Sequence, residues 1–426
     1  MQSKKEKLYP WLVLAFFWLI YFLNQADRQV LFSVLPLVKH ELRLTDTQLG
    51  LMSSAFFWVY AILVPLAGTL GDVVSRKRLI ITALLVWSFA TAASGFAAGF
   101  LSLVVCWSAT AFGEAFYYPS ANSMIGDYHG EKTRATAMAI HQTSAYTGIV
   151  VSGALAGYVG EEYGWRAAFT SFGAVGIVVA MIASIILREP KRGQAEQANS
   201  TGRSISLKER LAETFQTPTA VILILAFLGM TLVNTAYLTW TPTLLVRKFG
   251  FGLAKAGFHA TFWHLMGAAF GVLAGGRMGD AAATRSVVSR LVMQFAGLLL
   301  GAPFIFLLGW SDSRVVVLVS LGLFGVFRGL YESNLFASLY EVIRPQSRAT
   351  STGIMIGAAY LGGGFAPLAI GWLSDRMALG SALSGMSLCY LASGSIIALD
   401  CLLFFRDDYL RMRTSLQLLA QTSSNV

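Results

Sequence analysis

The sequence predicts an all-α membrane protein: twelve transmembrane helices arranged as two pseudo-symmetric six-helix bundles. Three observations lead there. Hydrophobic residues fill 55% of 426 positions, close to the ~240 residues that twelve spans of ~20 would need. Charged residues make up only 13%, about half the ~25% of an ordinary soluble protein, and mean hydropathy is +0.61. Segments of the first half also recur in the second at a nearly constant offset. That composition excludes a soluble enzyme of this length and an intrinsically disordered chain.

Apolar stretches fall at roughly 10–37, 47–70, 79–98, 101–124, 135–159 and 165–187, then at 218–245, 254–276, 289–309, 315–340, 349–373 and 381–405. The run after Lys4, Lys5 and Lys7 imitates a signal peptide, but it is long and lacks a small-residue cleavage pattern, so it reads as the first span. The polar, basic stretch 188–217 divides an N-terminal bundle (1–187) from a C-terminal bundle with a short tail (218–426).

The net charge of +10 would suggest nucleic acid for a soluble protein. In a membrane protein it reflects Lys and Arg retained in cytoplasmic loops. Lys4, Lys5, Lys7, Arg76, Lys77, Arg78, Lys132, Arg134, the linker, Arg285, Arg290, Arg344, Arg348, Arg406, Arg411 and Arg413 share one side. That side is expected to be the cytoplasm and to hold both termini. The other side carries scattered charges such as Lys39, Arg43, Glu161, Glu162, Arg247 and Lys248, with no comparable cluster. Cys106, Cys389 and Cys401 lie in apolar runs without paired spacing, so neither a disulfide framework nor a metal site is indicated. No phosphate-binding loop, zinc signature or nucleophile elbow occurs, and an enzyme is not expected.

The repeat is explicit. "GTLGDVVSR" from Gly68 returns as "GRMGDAAATR" from Gly276, and "RATAMAI" from Arg134 as "RATSTGI" from Arg348. Tyr117 then falls on Tyr331, Glu114 on Arg328 and Asp127 on Glu341. Gly68, Gly71 and Gly276 permit close helix approach, while Asp72 and Asp280 can pair with Arg or cap a helix.

Ionisable groups inside the spans are the candidate working residues, because a charge in the bilayer costs several kcal/mol unless it meets a partner or a wet cavity. Asn24, Asp27 and Arg28 interrupt the first span, and Glu114 lies ~20 Å into the fourth. Arg328 and Glu332 are one helical turn apart in the tenth. Asp27 and Glu114 are candidates for carrying protons, since burial favours the neutral carboxyl. Arg328 offers the fork geometry of an anion clamp, or else neutralises Glu332. Tyr117 and Tyr331 lie one turn from Glu114 and Arg328, and Asn234 could hydrogen-bond a polar substrate or glue helices together. His141 and His264 are candidates for proton relay, beside a plain core role.

The doubled Gly-x-x-x-Asp-plus-basic loop and the six-plus-six layout resemble the major facilitator superfamily. That resemblance implies a cytoplasmic gate at Gly68, Asp72, Arg76, Arg78, Asp280 and Arg285. "ADRQVLF", "LTDTQLGLMSSAFFWVYAI", "GEAFYYPSANSMI" and "GWRAAF" are similar to two of its branches, the organic-anion (anion:cation) symporters and the Spinster-like lysolipid carriers. In both, the residues matching Asp27, Arg28 and Glu114 serve proton coupling and substrate binding. Both usually carry an Arg seven residues before that Glu, where this chain has Trp107; Arg328 is the candidate replacement.

The expectation is a monomeric, proton-coupled secondary transporter in the cell membrane, working by alternating access on a small organic anion such as a carboxylate or sugar acid. The alternative is a proton-coupled lysolipid or amphiphile carrier. Neither cofactor, metal nor nucleic acid is called for.

Overall fold

The computed structural model describes residues 4–130, 133–190 and 206–424. Lys132 and positions 191–205 of the linker lie outside the described residues, as do the side chains of Lys4, Lys5, Lys7, Gly68, Gly71 and Asp72.

The described backbone is almost wholly helical. The first half contains α1 (Lys4–Leu42), α2 (Asp46–Val73), α3 (Arg76–Ser94), α4 (Phe100–Ala115), α5 (Tyr117–Tyr128), α6 (Arg134–Tyr163) and α7 (Trp165–Ile186). A short α8 (Leu207–Gln216) ends the linker. The second half contains α9 (Pro218–Phe249), α10 (Leu253–Ala283), α11 (Ser289–Trp310), α12 (Arg314–Val342), α13 (Arg348–Gly363), α14 (Phe365–Ser374), α15 (Leu379–Gly385), α16 (Ser387–Leu403) and α17 (Phe405–Ser424).

Ten helical segments among the described residues are long and apolar enough to cross a membrane. The expected fifth and eighth spans fall on α6 and α10, which are 30 and 31 residues long. Both are diluted by Gly, Ala, Ser, Thr and polar side chains, which lowers their hydropathy without shortening them.

Local chemistry explains the boundaries. Thr45 caps α2 through a capping box in which its hydroxyl accepts from Gln48 N–H and the Gln48 side chain accepts from Thr45 N–H. Ser75 and Ser313 cap α3 and α12. The α4–α5 break at Phe116 and the α13–α14 break at Gly364 each fall three residues before a proline, Pro119 and Pro367. Proline there removes an intrahelical donor and crowds the carbonyl four residues back.

By contact the chain separates into two compact units. The first comprises 1–201, 238–261 and 367–375, and the second 202–237, 262–366 and 376–426. In the first, α1 packs along α6, and α3 along α4 and α7; Val13, Phe17, Ile20, Leu84, Trp87, Tyr117 and Met124 form a buried cluster. In the second, α11 packs along α12 and α16. Gly325 and Gly329 of α12 abut the carbonyls of His264 and Ala268 on α10 with no room for a Cβ, the close approach small residues permit in membranes. That approach fixes where His264 meets α12.

Candidate functional site

In the first unit, α1 carries Asn24, Asp27 and Arg28 into contact with residues from α2, α3 and α4. Arg28 Nε donates to Glu114 Oε2 at 2.5 Å, and this Glu114 side chain is fully buried. The guanidinium also lies over the Tyr60 and Phe56 rings, 4.5 and 5.1 Å from their centroids. One residue away, Asp27 is 0% exposed and, among the described residues, neither carboxyl oxygen has a hydrogen-bond partner. The Trp87 indole and Thr91 hydroxyl are its polar neighbours. Asn24 is buried and accepts from Gln25 through Oδ1 at 3.1 Å, while its amide nitrogen makes no hydrogen bond. The aromatic face on Arg28 stabilises the cation without consuming its donors.

Other expected members of this group are spent differently. The Tyr117 hydroxyl donates to the Phe17 carbonyl at 2.7 Å and lies 3.0 Å from His141 Nε2, so it ties α5 to α1 and α6. Trp107, at the position of the missing Arg, is fully buried between Phe56 and Phe169 and acts as a packing residue.

In the second unit, Arg328 organises a comparable cluster. Its Nε and Nη2 both reach Glu332 Oε1, at 3.0 and 2.8 Å; its Nη1 donates to Asn234 Oδ1 at 2.9 Å and meets His264 Nε2 at 2.7 Å. Arginine can only donate, so His264 accepts there. Tyr331 is fully buried, and its hydroxyl makes no hydrogen bond among the described residues.

The loop motifs show the repeat in three dimensions. Arg76 is buried and bonds Asp127, Glu189, Ser123 and the Pro190 carbonyl. Its mate at an offset of 214, Arg290, bonds Asp280 and Glu341. Arg134 reaches the carbonyls of Gly126 and His129, and Arg348 those of Tyr340 and Ile343, again 214 apart. The sequence motif aligned Arg76 with Arg285, but Asp280 pairs with Arg290, and Arg285 is exposed. The Arg78 side chain is exposed and its backbone N–H donates to Ser75. Burial pushes the Glu189 carboxyl up, yet Lys77 N–H, Ser75 and Arg76 outweigh it and hold it below the ordinary glutamate value. Glu213 of α8 is similar. Burial again raises it, but Arg344 and Ser347 leave it below the ordinary value.

A further group was not legible as a site in the sequence. At the opposite end of α1 from the N-terminus, the buried Asp46 carboxylate accepts from Lys39 Nζ at 2.6 Å, Arg247 Nη1 and Nη2 at 2.6 and 2.7 Å, and Ser374 Oγ at 2.7 Å. Asp375 in turn accepts from the backbone N–H of Asp46 and Thr47 and from the Thr47 hydroxyl. Both carboxylates thus sit at the first turn of α2, where the helix dipole favours negative charge. Gly50 and Gly371 let backbones close to this knot, against Pro367 and Asp46. Lys39 and Arg247, which look scattered along the sequence, converge on one acid.

Known proteins share this architecture. The family model described as Major Facilitator Superfamily matches residues 17–367. A "Probable galactarate/D-glucarate transporter" of Bacillus subtilis is 30% identical over 75% of this chain and 76% of its own length. A "Hexuronate transporter" of the same organism is 25% identical over 85% and 88%. Among solved structures, a bacterial homolog to the human lysosomal transporter Spinster, inward-facing and unoccupied, aligns with a TM-score of 0.81 at 24% identity over 96% of this chain and 99% of its own. These relatives are membrane transporters and not enzymes, and the matched segment spans the clusters of both units. The chain belongs to the major facilitator superfamily.

Proposed function

We propose that the chain is a proton-coupled secondary transporter of a small organic anion, a sugar acid or related carboxylate, acting as a monomer in the cell membrane with both termini in the cytoplasm. The observation that carries this reading is the Arg28–Glu114 ion pair one residue along α1 from Asp27, whose buried carboxyl has no charged partner within hydrogen-bond distance among the described residues. Asp27, with only the neutral Trp87 indole and Thr91 hydroxyl as polar neighbours, is the proposed site of proton exchange. A proton on Glu114 weakens its hold on Arg28, whose guanidinium then accepts a substrate carboxylate in the same fork geometry.

Arg328 is the second proposed anion-binding cation, with Asn234 and Glu332 orienting it and supplying polar contacts. Asn24 contributes its amide nitrogen, which makes no hydrogen bond among the described residues, and Tyr117 and Tyr331 shape the walls. The reading is supported by the relatives named for galactarate, D-glucarate and hexuronate. The charged character of both clusters favours a compact anion over an amphiphile, and the likeness to the Spinster homolog bears on fold alone.

Gly68, Asp72, Arg76, Arg78, Asp280 and Arg285, now joined by Arg290, are proposed to steady the cytoplasmic ends of the helices through alternating access of the two six-helix halves, 1–187 and 218–426. Counterflow of labelled D-glucarate in proteoliposomes tests the function. Exchange that unlabelled D-glucarate drives and D-glucose does not is the expected result; no exchange with any sugar acid or carboxylate would overturn it.

A further inference from the structure

Above the Asp46 knot lies a cleft of about 440 Å³ lined by Pro36, Lys39, His40, Arg43, Leu44 and Arg247. Lys39 and Arg247 are each about one-third exposed, with side-chain exposures of 34% and 33%, and share the single buried carboxylate of Asp46. Three fixed cations therefore face one acid. The C-terminal ends of α1 and α9 offset roughly half a charge each, and the charged residues that line the cleft itself, Lys39, Arg43 and Arg247, are all cations. Of the nearby carboxylates, Glu41 pairs with Arg166 and accepts from Trp165, whereas Asp375 accepts from the neutral Asp46 N–H and Thr47 and keeps its charge, and Glu161 lies against Gly252 at the α9 corner.

Helix dipoles account for Lys39 and His40 in the last turn of α1 and for Arg247 in the last turn of α9. They do not account for Arg43. That residue closes α1 in the left-handed region at φ 52°, with Leu44 N–H bonded back to the Lys39 carbonyl at 3.1 Å. The corner that closes α9 is one residue wider, with Phe251 N–H on the Leu245 carbonyl and Gly250 N–H on the Val246 carbonyl, and there Gly250 takes the left-handed position at φ 65°. Glycine is the usual occupant of this site because a Cβ is strained in it. One half of the repeat uses the cheap residue and the other holds an exposed arginine there, at the mouth of a cationic cleft.

We propose that this cleft is an outer docking site for small carboxylate anions, with Arg43 as its outermost cation and Lys39 and Arg247 beneath. A docked anion competes with Asp46 for those two cations and so loosens the knot that holds α1, α2, α9 and α14 together at this end. The proposal deepens the transport reading and rests on it for what the cleft delivers, but docking itself can be measured without transport.

The test uses Arg43→Gly, which restores the residue found at the matching corner, Arg43→Asn, which is neutral and tolerates the left-handed conformation, and Arg43→Lys, which keeps the charge. D-glucarate uptake is measured in right-side-out proteoliposomes at about 10 mM and about 1 M ionic strength, where the screening length falls from ~30 to ~3 Å. At low ionic strength the neutral variants are expected to raise the uptake KM about threefold or more, with Arg43→Lys near wild type. The difference should vanish at high salt, and the KM for efflux should not move. If the wild type takes up no D-glucarate, the transport reading fails and docking is read instead as thermal stabilisation by D-glucarate at low ionic strength, expected in the wild type and lost in Arg43→Gly. Equal uptake KM in the neutral variants and wild type at low ionic strength overturns the proposal; so does equal stabilisation where no uptake occurs.

Discussion

Replacing Asp46 by Asn removes one charge from a carboxylate that accepts four hydrogen bonds, three of them from Lys39 and Arg247. The amide keeps one acceptor oxygen and turns an NH2 group toward donors it cannot bond. Hydrogen bonds to charged groups are worth about 1.5–3 kcal/mol each, and the cations are one-third exposed, so roughly half of the sum is discounted for screening. About 3 kcal/mol remains, or on the order of 100-fold in the balance between the knotted and the parted helix ends. Ser33 reports on that balance: it is 1% exposed, donates to the Gly153 carbonyl, and precedes Lys39 by six residues on α1. With Cys106, Cys389 and Cys401 changed to Ser and Ser33→Cys introduced, Asp46→Asn should speed labelling by a membrane-impermeant maleimide at least tenfold. An unchanged rate in a variant that melts like its parent would refute the reasoning.

Other outcomes follow from the same geometry. Glu213 has its carboxyl held below the ordinary value in the folded state, so its contribution is present above the unfolded glutamate pKa of about 4.3 and fades as pH falls through the lower folded value. Glu213→Gln should cost about 2 kcal/mol at neutral pH, read as a lower melting temperature, with the gap closing in acid. Arg328→Lys keeps the charge but cannot span Glu332, Asn234 and His264, so substrate affinity in counterflow should fall about tenfold or more. Gly325→Leu drives a side chain into the His264 backbone and should destabilise the protein by more than ~3 kcal/mol, seen as loss of monodisperse protein, whereas exposed Gly353 has open space around its Cβ direction and should tolerate Ala.

The fold was legible because each feature that specifies it is local. Span length acts within a single segment, whereas the breaks ahead of Pro119 and Pro367 divide the stretches 101–124 and 349–373 that read as single spans. The repeat added long-range information, since an offset of 214 carries Arg134 onto Arg348 and their carbonyl partners with them. Motif matching misplaced one equivalence. The run at Gly276 has an extra residue before its Arg, which drew attention to Arg285, while the residue bonded as Arg76 is bonded is Arg290.

Of the proposed working residues, those carrying charge inside a span could be named from cost alone. What each touches could not. Tyr117 sits one turn from Glu114 on paper, yet its hydroxyl binds the Phe17 carbonyl. Lys39, Asp46 and Arg247 were invisible as a group because Arg247 lies 201 residues from Asp46, and neither spacing nor composition links them. The left-handed conformation of Arg43 leaves no mark in the sequence except an arginine where the repeat has glycine.

The central claim is that proton movement at Asp27 drives uptake of an organic anion, and one measurement meets it directly. Wild-type protein and Asp27→Asn, in proteoliposomes, are given labelled D-glucarate with and without an inward proton gradient. The account predicts that the gradient makes the wild type accumulate D-glucarate above equilibrium, whereas Asp27→Asn exchanges it in counterflow but does not accumulate it. Gradient-driven accumulation by Asp27→Asn, or wild-type uptake indifferent to the gradient, would contradict the account.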